Sequence, residues 1–316
     1  MFCRLTAIAM GWPLVEPLFA IDSSIYIFRS YFALQPDWQS RDGFFTEAVF
    51  GFASFLLKLL ARENPVYIGA AFDESLGTGF RHQLYGQYKA NRALPDEALG
   101  YQLDSCRRIA ESLGIACWAS SQFEADDYLA AMVAAASDDQ QVYILSADKD
   151  LAQLLSDRVW LWDYPRKARI SGEDYREKFG VMPELVPDLL ALTGDVSDNI
   201  PGVPGIGPKT ATAILAELGA IENWVEDLSK LLSVSVRGSK SLPVKLTPYR
   251  DQIRLAKKLA VVEPNIPSGP QLSSLLRKSI NLEQTVPFFE HLGIASLVPE
   301  LKALKEKEST VIKDVS

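Results

Sequence analysis

The sequence predicts an α/β fold, a mainly parallel central sheet flanked by helices, followed by a C-terminal all-helical region. Three observations carry this. Apolar runs at residues 18–21, 66–72 and 142–147 each end on an aspartate, namely Asp22, Asp73 and Asp148, with helical sequence between them. Residues 48–60 are apolar at helical spacing with Lys58 on the outside, as in a helix packed on a sheet. Beyond Ala211 the strand-like runs cease. Residues 213–218, 246–259 and 282–292 follow a helical period, separated by loops rich in Ser, Gly and Pro at 233–243 and 264–271. Short buried strands alternating with helices favour parallel pairing, and the crevice of such a sheet lies beyond the carboxyl ends of its strands.

Parallel pairing would therefore bring Asp22, Asp73 and Asp148 to one edge. Aspartate also follows strands for local reasons, because it starts turns and caps helices. Three in one chain, with more acids close by, favour a shared site. Glu124, Asp126 and Asp127 open a helix that continues through Leu129 and Met132, and Asp150 lies two residues beyond Asp148. Asp195 and Asp198 stand three apart, so a helical turn between them would point both carboxylates at one cation. Two like charges about 4 Å apart cost on the order of 4 kcal/mol at an effective dielectric near 20. Nine acids in one place therefore need divalent cations. Magnesium keeps several waters and takes few direct carboxylates, so the number of acids implies two Mg2+ (or Mn2+) ions, with some acids acting through water.

Composition limits the alternatives. The 316 residues suffice for two domains, and 48% hydrophobic with 23% charged residues describe an ordinary soluble globular protein. A net charge of −8 argues against coating DNA by bulk charge, although a metal-holding acidic cluster would account for much of it. Cys3, Cys106 and Cys117 form no Cys-x-x-Cys pair, which suits a reducing compartment without structural disulfides. With His82 and His291 as the two histidines, a zinc site is excluded. No apolar run approaches the length of a membrane span. Residues 1–17 imitate a signal peptide at Arg4 and the apolar stretch behind it, but Pro13, Glu16 and Pro17 interrupt it; they read as an extension.

Two further segments have nucleic-acid character. Arg81, Tyr85, Lys89 and Arg92 recur at steps of four, four and three, along one face of a helix that Pro95 can end. Such a basic and aromatic stripe suits a single strand. Residues 194–211 join the last acids to Gly202, Gly205 and Gly207, interleaved with Pro201, Pro204 and Pro208. These turn formers forbid a regular element and then let a helix start at Pro208, with bare N–H groups and Lys209 in its first turn, a ready place for a phosphate. The expected division is an extension at 1–17, a catalytic α/β domain at 18–187, a helical DNA-binding domain at 188–300 and a mobile tail at 301–316.

These motifs resemble the 5' nuclease (flap endonuclease) family, most closely the 5' to 3' exonuclease domain of bacterial DNA polymerase I. The likeness runs from about Leu18 to Val262. It rests on Asp195-Val-Ser-Asp-Asn-Ile-Pro-Gly-Val-Pro-Gly-Ile-Gly-Pro-Lys-Thr-Ala, on Phe80-Arg-His-Gln-Leu-Tyr-Gly-Gln-Tyr-Lys-Ala-Asn-Arg92, on Phe123-Glu-Ala-Asp-Asp127 and on Ser146-Ala-Asp-Lys-Asp150. The resemblance implies a 5' nuclease/PIN-like catalytic fold with a helical arch at about 78–100 and a helix-hairpin-helix subdomain. Asp22, Asp73, Glu124 and Asp126 would surround one metal with Asp127 close by. Asp148, Asp150, Asp195 and Asp198 would serve the second, with Asp126 between the two. Lys89 and Arg92 would steady the scissile phosphate and Tyr85 would stack on a base. Arg81, Gly202, Val203, Gly205, Gly207, Lys209 and Thr210 would touch DNA, the hairpin with one K+.

Expected substrates are DNA with 5' flaps, nicks or 5' ends, including RNA-primed ones, in primer removal and repair. The setting implied is cytoplasmic and nucleoid-associated, away from membranes. The protein would be a monomer without a fused polymerase, working beside a separate DNA polymerase. Ser23 and Ala147 stand where the family usually has Gly, which would alter the backbone locally but removes no ligand. Two other classes share parts of the pattern. A catalytically silent flap or duplex DNA-binding protein would lack some carboxylates, and a metal-dependent RNase of the PIN-like group would lack the hairpin at 202–209.

Overall fold

The computed structural model describes residues 15–313 except 75, 76 and 93, and for 309–313 the backbone alone. The chain builds β1 (Leu18–Asp22), α1 (Ser23–Ala33), α2 (Glu47–Glu63), β2 (Tyr67–Asp73), α3 (Phe80–Leu84), α4 (Glu97–Ser112), β3 (Ala116–Ser120) and α5 (Ala125–Ala135). After these come β4 (Val142–Leu145), β5 (Val159–Asp163), β6 (Ala168–Ile170), α6 (Gly172–Phe179), α7 (Val186–Thr193), α8 (Pro208–Leu218), α9 (Leu242–Leu246), α10 (Arg250–Ala260), α11 (Leu282–His291) and α12 (Val298–Lys313).

One sheet runs in the order β3-β2-β1-β4-β5-β6, parallel except for β6. β1 is buried along its whole length, as a central parallel strand must be when helices cover both faces. The chain steps outward from β1 to β2 and β3, then returns to the other side of β1 with β4. The order therefore reverses between β1 and β4, where open α/β sheets form their crevice. Asp22 stands at the carboxyl end of β1, Asp73 at that of β2, and Asp148 three residues past that of β4.

Helices α1, α2 and α4 cover one sheet face around Phe19, Ile21, Phe52, Leu56 and Ile68, while α5 covers the other around Ala20, Leu129, Met132 and Ile144. A separate apolar core joins Leu192 of α7, Val203 and Ile206 of the Gly/Pro turn, Ile214 of α8, Trp224, and Ile253, Ala256 and Leu259 of α10. It forms the expected all-helical unit.

Three sequence expectations need correction. The arch is not one helix: α3 ends at Leu84, Tyr85 is extended, and Lys89 has φ of 50°. The backbone there bonds outward. Lys89 N–H donates to the Asp198 carbonyl at 2.9 Å, and the Asn199 side-chain amide donates to the Gln87 carbonyl at 2.6 Å. The helical unit also does not extend to residue 300. Arg277 N–H donates to the Val66 carbonyl and Lys278 N–H to the Gly114 carbonyl, both at 2.9 Å, which returns the chain to the α/β body, where Ile280, Phe289 and Leu292 are buried. The tail is packed, because Leu301 and Leu304 complete that same core and Glu308 accepts from Arg277 at 2.8 Å. Residues 1–14 of the expected extension and 314–316 of the tail lie outside the described residues. Among the described residues no helix is long and apolar enough to cross a membrane.

Candidate metal centre and nucleic-acid interface

The carboxylates gather where the sheet order reverses. Asp22 Oδ2 accepts from Ser146 Oγ at 2.7 Å, Ser146 Oγ accepts from Asp148 N–H at 3.0 Å, and Asp148 Oδ1 accepts from Asp150 N–H at 2.9 Å. Asp73 Oδ1 takes the N–H of Ala125 at 2.8 Å, tying β2 to the start of α5, from whose first turn Asp126 projects. The acids repel one another. Burial pushes Asp22 up to about 7, with Asp73 and Asp148 adding to it against the Ser146 bond. Burial, then Asp148, Asp22 and Asp73, hold Asp126 well above the usual carboxylate range. Asp150 is pushed up to about 7 by burial and by Asp148 and Asp195. Asp148 acts on Asp22, Asp126 and Asp150, and Asp126 is in turn raised by Asp148, Asp22 and Asp73.

Asp195 and Asp198 sit in a tight hairpin and not in the helical turn that their spacing suggested. Asp195 and Ile200 exchange backbone hydrogen bonds at 3.0 and 2.8 Å. Asp195 is buried, yet Oδ1 accepts from Ser197 N–H, Ser197 Oγ and Asp198 N–H at 2.6, 2.7 and 3.2 Å. Those bonds outweigh the burial and hold its carboxyl below the ordinary range.

Cations from residues 81–92 meet this patch. Lys89 Nζ donates to Glu124 Oε1 at 2.8 Å and lies 3.7 Å from Asp198 Oδ2. Burial disfavours its charge, but Glu124, Asp198, Asp73 and Asp126 together hold it above the usual lysine value. Arg92 reaches Asp198 Oδ1 at 2.5 Å. Arg81 and Asp127 hold each other beneath this patch: both are buried, and the guanidinium grips both Asp127 oxygens at 2.7 and 2.8 Å. Asp127 also accepts from Glu124 N–H at 2.9 Å and Glu263 N–H at 2.8 Å, so it caps a helix and holds an ion pair. Tyr85 is half-buried against the core of the helical unit.

Among the described residues, no three acids stand close enough as placed to enclose an ion. A magnesium ion does not require such a cage, since it binds through one or two carboxylates and keeps its waters. The donor set is entirely oxygen, and Asp150 Oδ1 and Asp195 Oδ2 are buried without a hydrogen-bond partner. These features fit a hard, hydrated divalent cation. Neither Ser23 nor Ala147 has positive φ, so neither position needs glycine for its backbone angle.

The Gly/Pro turn lies beside the acids. A Cβ on Gly202 would fall 2.3 Å from the Thr193 carbonyl carbon and 2.4 Å from the Gly194 nitrogen, so only glycine lets the turn close on α7. Val203 and Ile206 are buried beneath it, Gly205 has φ of 74°, and Lys245 Nζ donates to the Gly205 carbonyl at 2.9 Å. Gly207 caps α8 without a side chain, Lys209 is exposed and Thr210 half-buried in the first turn.

Residues 17–180 match the family model described as the 5'-3' exonuclease, N-terminal resolvase-like domain, and residues 181–283 match the 5'-3' exonuclease, C-terminal SAM fold. The chain belongs to the 5'-3' exonuclease family. DNA polymerase I of Bacillus caldotenax is 34% identical over 299 residues, covering 93% of this chain and 33% of that protein. DNA polymerase I of Mycobacterium bovis is 41% identical over 219 residues, covering 67% and 24%. The chain thus spans about a third or less of the length of these relatives.

Solved structures share the fold. The T5 5'-exonuclease, described with divalent metal ions (zinc) bound, aligns at a TM-score of 0.63 with 20% identity, over 92% of this chain and 99% of that one. The catalytic core of Rad2 in complex with DNA substrate aligns at 0.60 with 16% identity, over 92% and 93%. Flap endonuclease-1 from Methanococcus jannaschii aligns at 0.58 with 17% identity, over 93% of each chain.

Beyond the expected acids, the site holds residues that sequence reasoning passed over. Tyr88, next to Lys89, is buried and donates to Glu124 Oε2 at 2.9 Å. Ser146 lies inside a quoted motif, and its hydroxyl joins two strand ends; Ser24 Oγ reaches Asp73 at 3.3 Å. Tyr88 and Ser146 both stand inside motifs quoted from the sequence without being singled out there, and Ser24 carried no signal.

Proposed function

We propose that this member of the 5'-3' exonuclease family is a structure-specific 5' nuclease that hydrolyses DNA phosphodiesters at 5' flaps and 5' ends, in RNA-primer removal and repair. The observation that supports it most is the gathering of Asp22, Asp73, Asp126, Asp148 and Asp150 at the carboxyl edge of the sheet, near the hairpin of Asp195 and Asp198, from which the chain runs into the turn at Gly202 and the start of α8. Asp22, Asp73, Glu124 and Asp126 would hold one Mg2+ or Mn2+, and Asp148, Asp150, Asp195 and Asp198 a second. Bound there, the two ions supply water activation and charge neutralisation at the leaving oxygen.

The chain's own residues do the rest. Lys89 and Arg92 bring positive charge to the crevice, where it can oppose the charge that grows on a phosphate in the transition state. Ser146 and Ser24 hold Asp22 and Asp73 in place. The α8 start, with Lys209 and Thr210, takes a phosphate of the duplex beyond the cut. Lys245 already supplies positive charge at the Gly205 carbonyl, so no step is assigned to a K+ there. In this reading the protein acts as a monomer in the cytoplasm, with DNA and a separate DNA polymerase as its partners.

The test uses a 5'-labelled DNA flap, an RNA-tipped flap and a plain RNA strand, each with Mg2+, with Mn2+ and with EDTA. Metal-dependent cutting near the flap junction is expected. Binding without cutting in either metal would sink the proposal, and preference for the plain RNA strand would replace it with an RNase.

A further inference from the structure

The fork between Arg81 and Asp127 joins two helix ends. Asp127 is the third residue of α5 and shares a capping box with Glu124. On its other side Arg81 donates through Nε to the Leu259 carbonyl at 2.9 Å and through Nη2 to the Val261 carbonyl at 2.8 Å, at the C-terminal end of α10. Nη1 also reaches Glu124 Oε2 at 3.2 Å. With the two bonds to Asp127, all five guanidinium donors are used, and the side chain is 3% exposed. A side chain so enclosed has nothing left for a nucleic acid. Its charge lies instead against the carboxylates of Glu124 and Asp127 and the open carbonyls that close α10, the end of a helix that favours a cation.

Helix α10 is in turn bound to the Gly/Pro turn. Gln252, two turns before Leu259, donates to the Gly202 carbonyl at 2.8 Å, and α10 shares its apolar core with Val203 and Ile206. A continuous path of bonds and rigid helix therefore runs from Gly202 along α10 to Arg81, and from there to Glu124.

We infer that Arg81 is a positioning residue that fixes Glu124 of the carboxylate centre relative to the end of α10, and so sets the distance between that centre and the hairpin. Lysine cannot replace it, because a single ammonium with three donors cannot make the two-pronged grip and still reach two carbonyls. This inference rests on the nuclease reading for its consequence at the substrate, but not for the coupling itself.

The experiment compares the full chain with Arg81→Lys and Arg81→Gln. Hydrogen exchange is measured without metal at Glu263 and Glu124, whose amides bond to Asp127. Both variants should exchange there about tenfold faster, while helix α2 stays protected. On a labelled 5' flap in Mg2+, wild type should give one dominant product length. Both variants should spread products over neighbouring lengths, with KM for DNA changed by less than about twofold. Unchanged exchange at Glu263, a uniform rise throughout the chain, or an unshifted product length in a variant that still cuts would each overturn the inference. If wild type does not cut at all, the nuclease reading fails, and the exchange measurement still decides the coupling.

Discussion

Tyr88 and Asp198 meet at the edge of the carboxylate patch: the phenol oxygen lies 3.1 Å from Asp198 Oδ2 while the same hydroxyl bonds Glu124 Oε2 at 2.9 Å. A phenol has one proton, so it can satisfy one of these carboxylates at a time, and burial with both acids nearby drives its own ionisation far above the ordinary tyrosine range. Tyr88 therefore remains a neutral donor between two groups of one sign, beside the Lys89 ammonium.

Tyr88→Phe keeps the ring and removes the donor. A hydrogen bond to a charged group contributes about 1.5–3 kcal/mol. The variant is expected to melt several degrees lower without metal, and to cut a 5' flap about tenfold more slowly, with little change in duplex affinity. An unchanged melt together with an unchanged rate would show that the phenol plays no part in holding Glu124.

The carboxylate patch was legible because strand ends mark themselves: an apolar run stopping at Asp22, Asp73 or Asp148 carries both the element and the acid. β3 and β5 were missed for opposite reasons. Residues 115–119 are an apolar run that ends on a serine and whose strand, Ala116–Ser120, is only half-buried, while Val159–Asp163 does end on an acid, Asp163, but that acid pairs with Arg29 away from the patch. Arg81 and Lys89 look alike at helical spacing, but only tertiary contacts decide that one is enclosed by Asp127 and the other faces Glu124. The packing of Leu301 and Leu304 was equally hidden, since their charged neighbours read as a solvated tail.

Mutual repulsion among Asp22, Asp73, Asp126 and Asp148 predicts a sign for two melts. Divalent metal should raise the melting temperature, because a ligand at about 100 times its dissociation constant stabilises by about 2.7 kcal/mol, several degrees for a chain of this size. Asp126→Asn removes one repelling charge. In EDTA it should melt at or above wild type, and with Mg2+ or Mn2+ it should gain less. Equal melts for wild type with and without metal would argue against a shared centre, and a lower melt for Asp126→Asn in EDTA would show that the carboxylate is stabilising as it stands.

Lys209 separates grip from chemistry. It is exposed in the first turn of α8, in the helical unit, whereas Asp22, Asp73, Asp126 and Asp148 belong to the α/β body. Removing the cation that neutralises one phosphate should lower the slope of log affinity against log salt by about 0.9 for duplex DNA. Lys209→Ala is therefore expected to weaken duplex binding in EDTA and to flatten its salt dependence, while calorimetric titration with Mn2+ gives the wild-type affinity. A variant that lost metal binding would make the hairpin part of the carboxylate centre, and one that kept the full salt slope would place the duplex phosphate elsewhere on the helical unit.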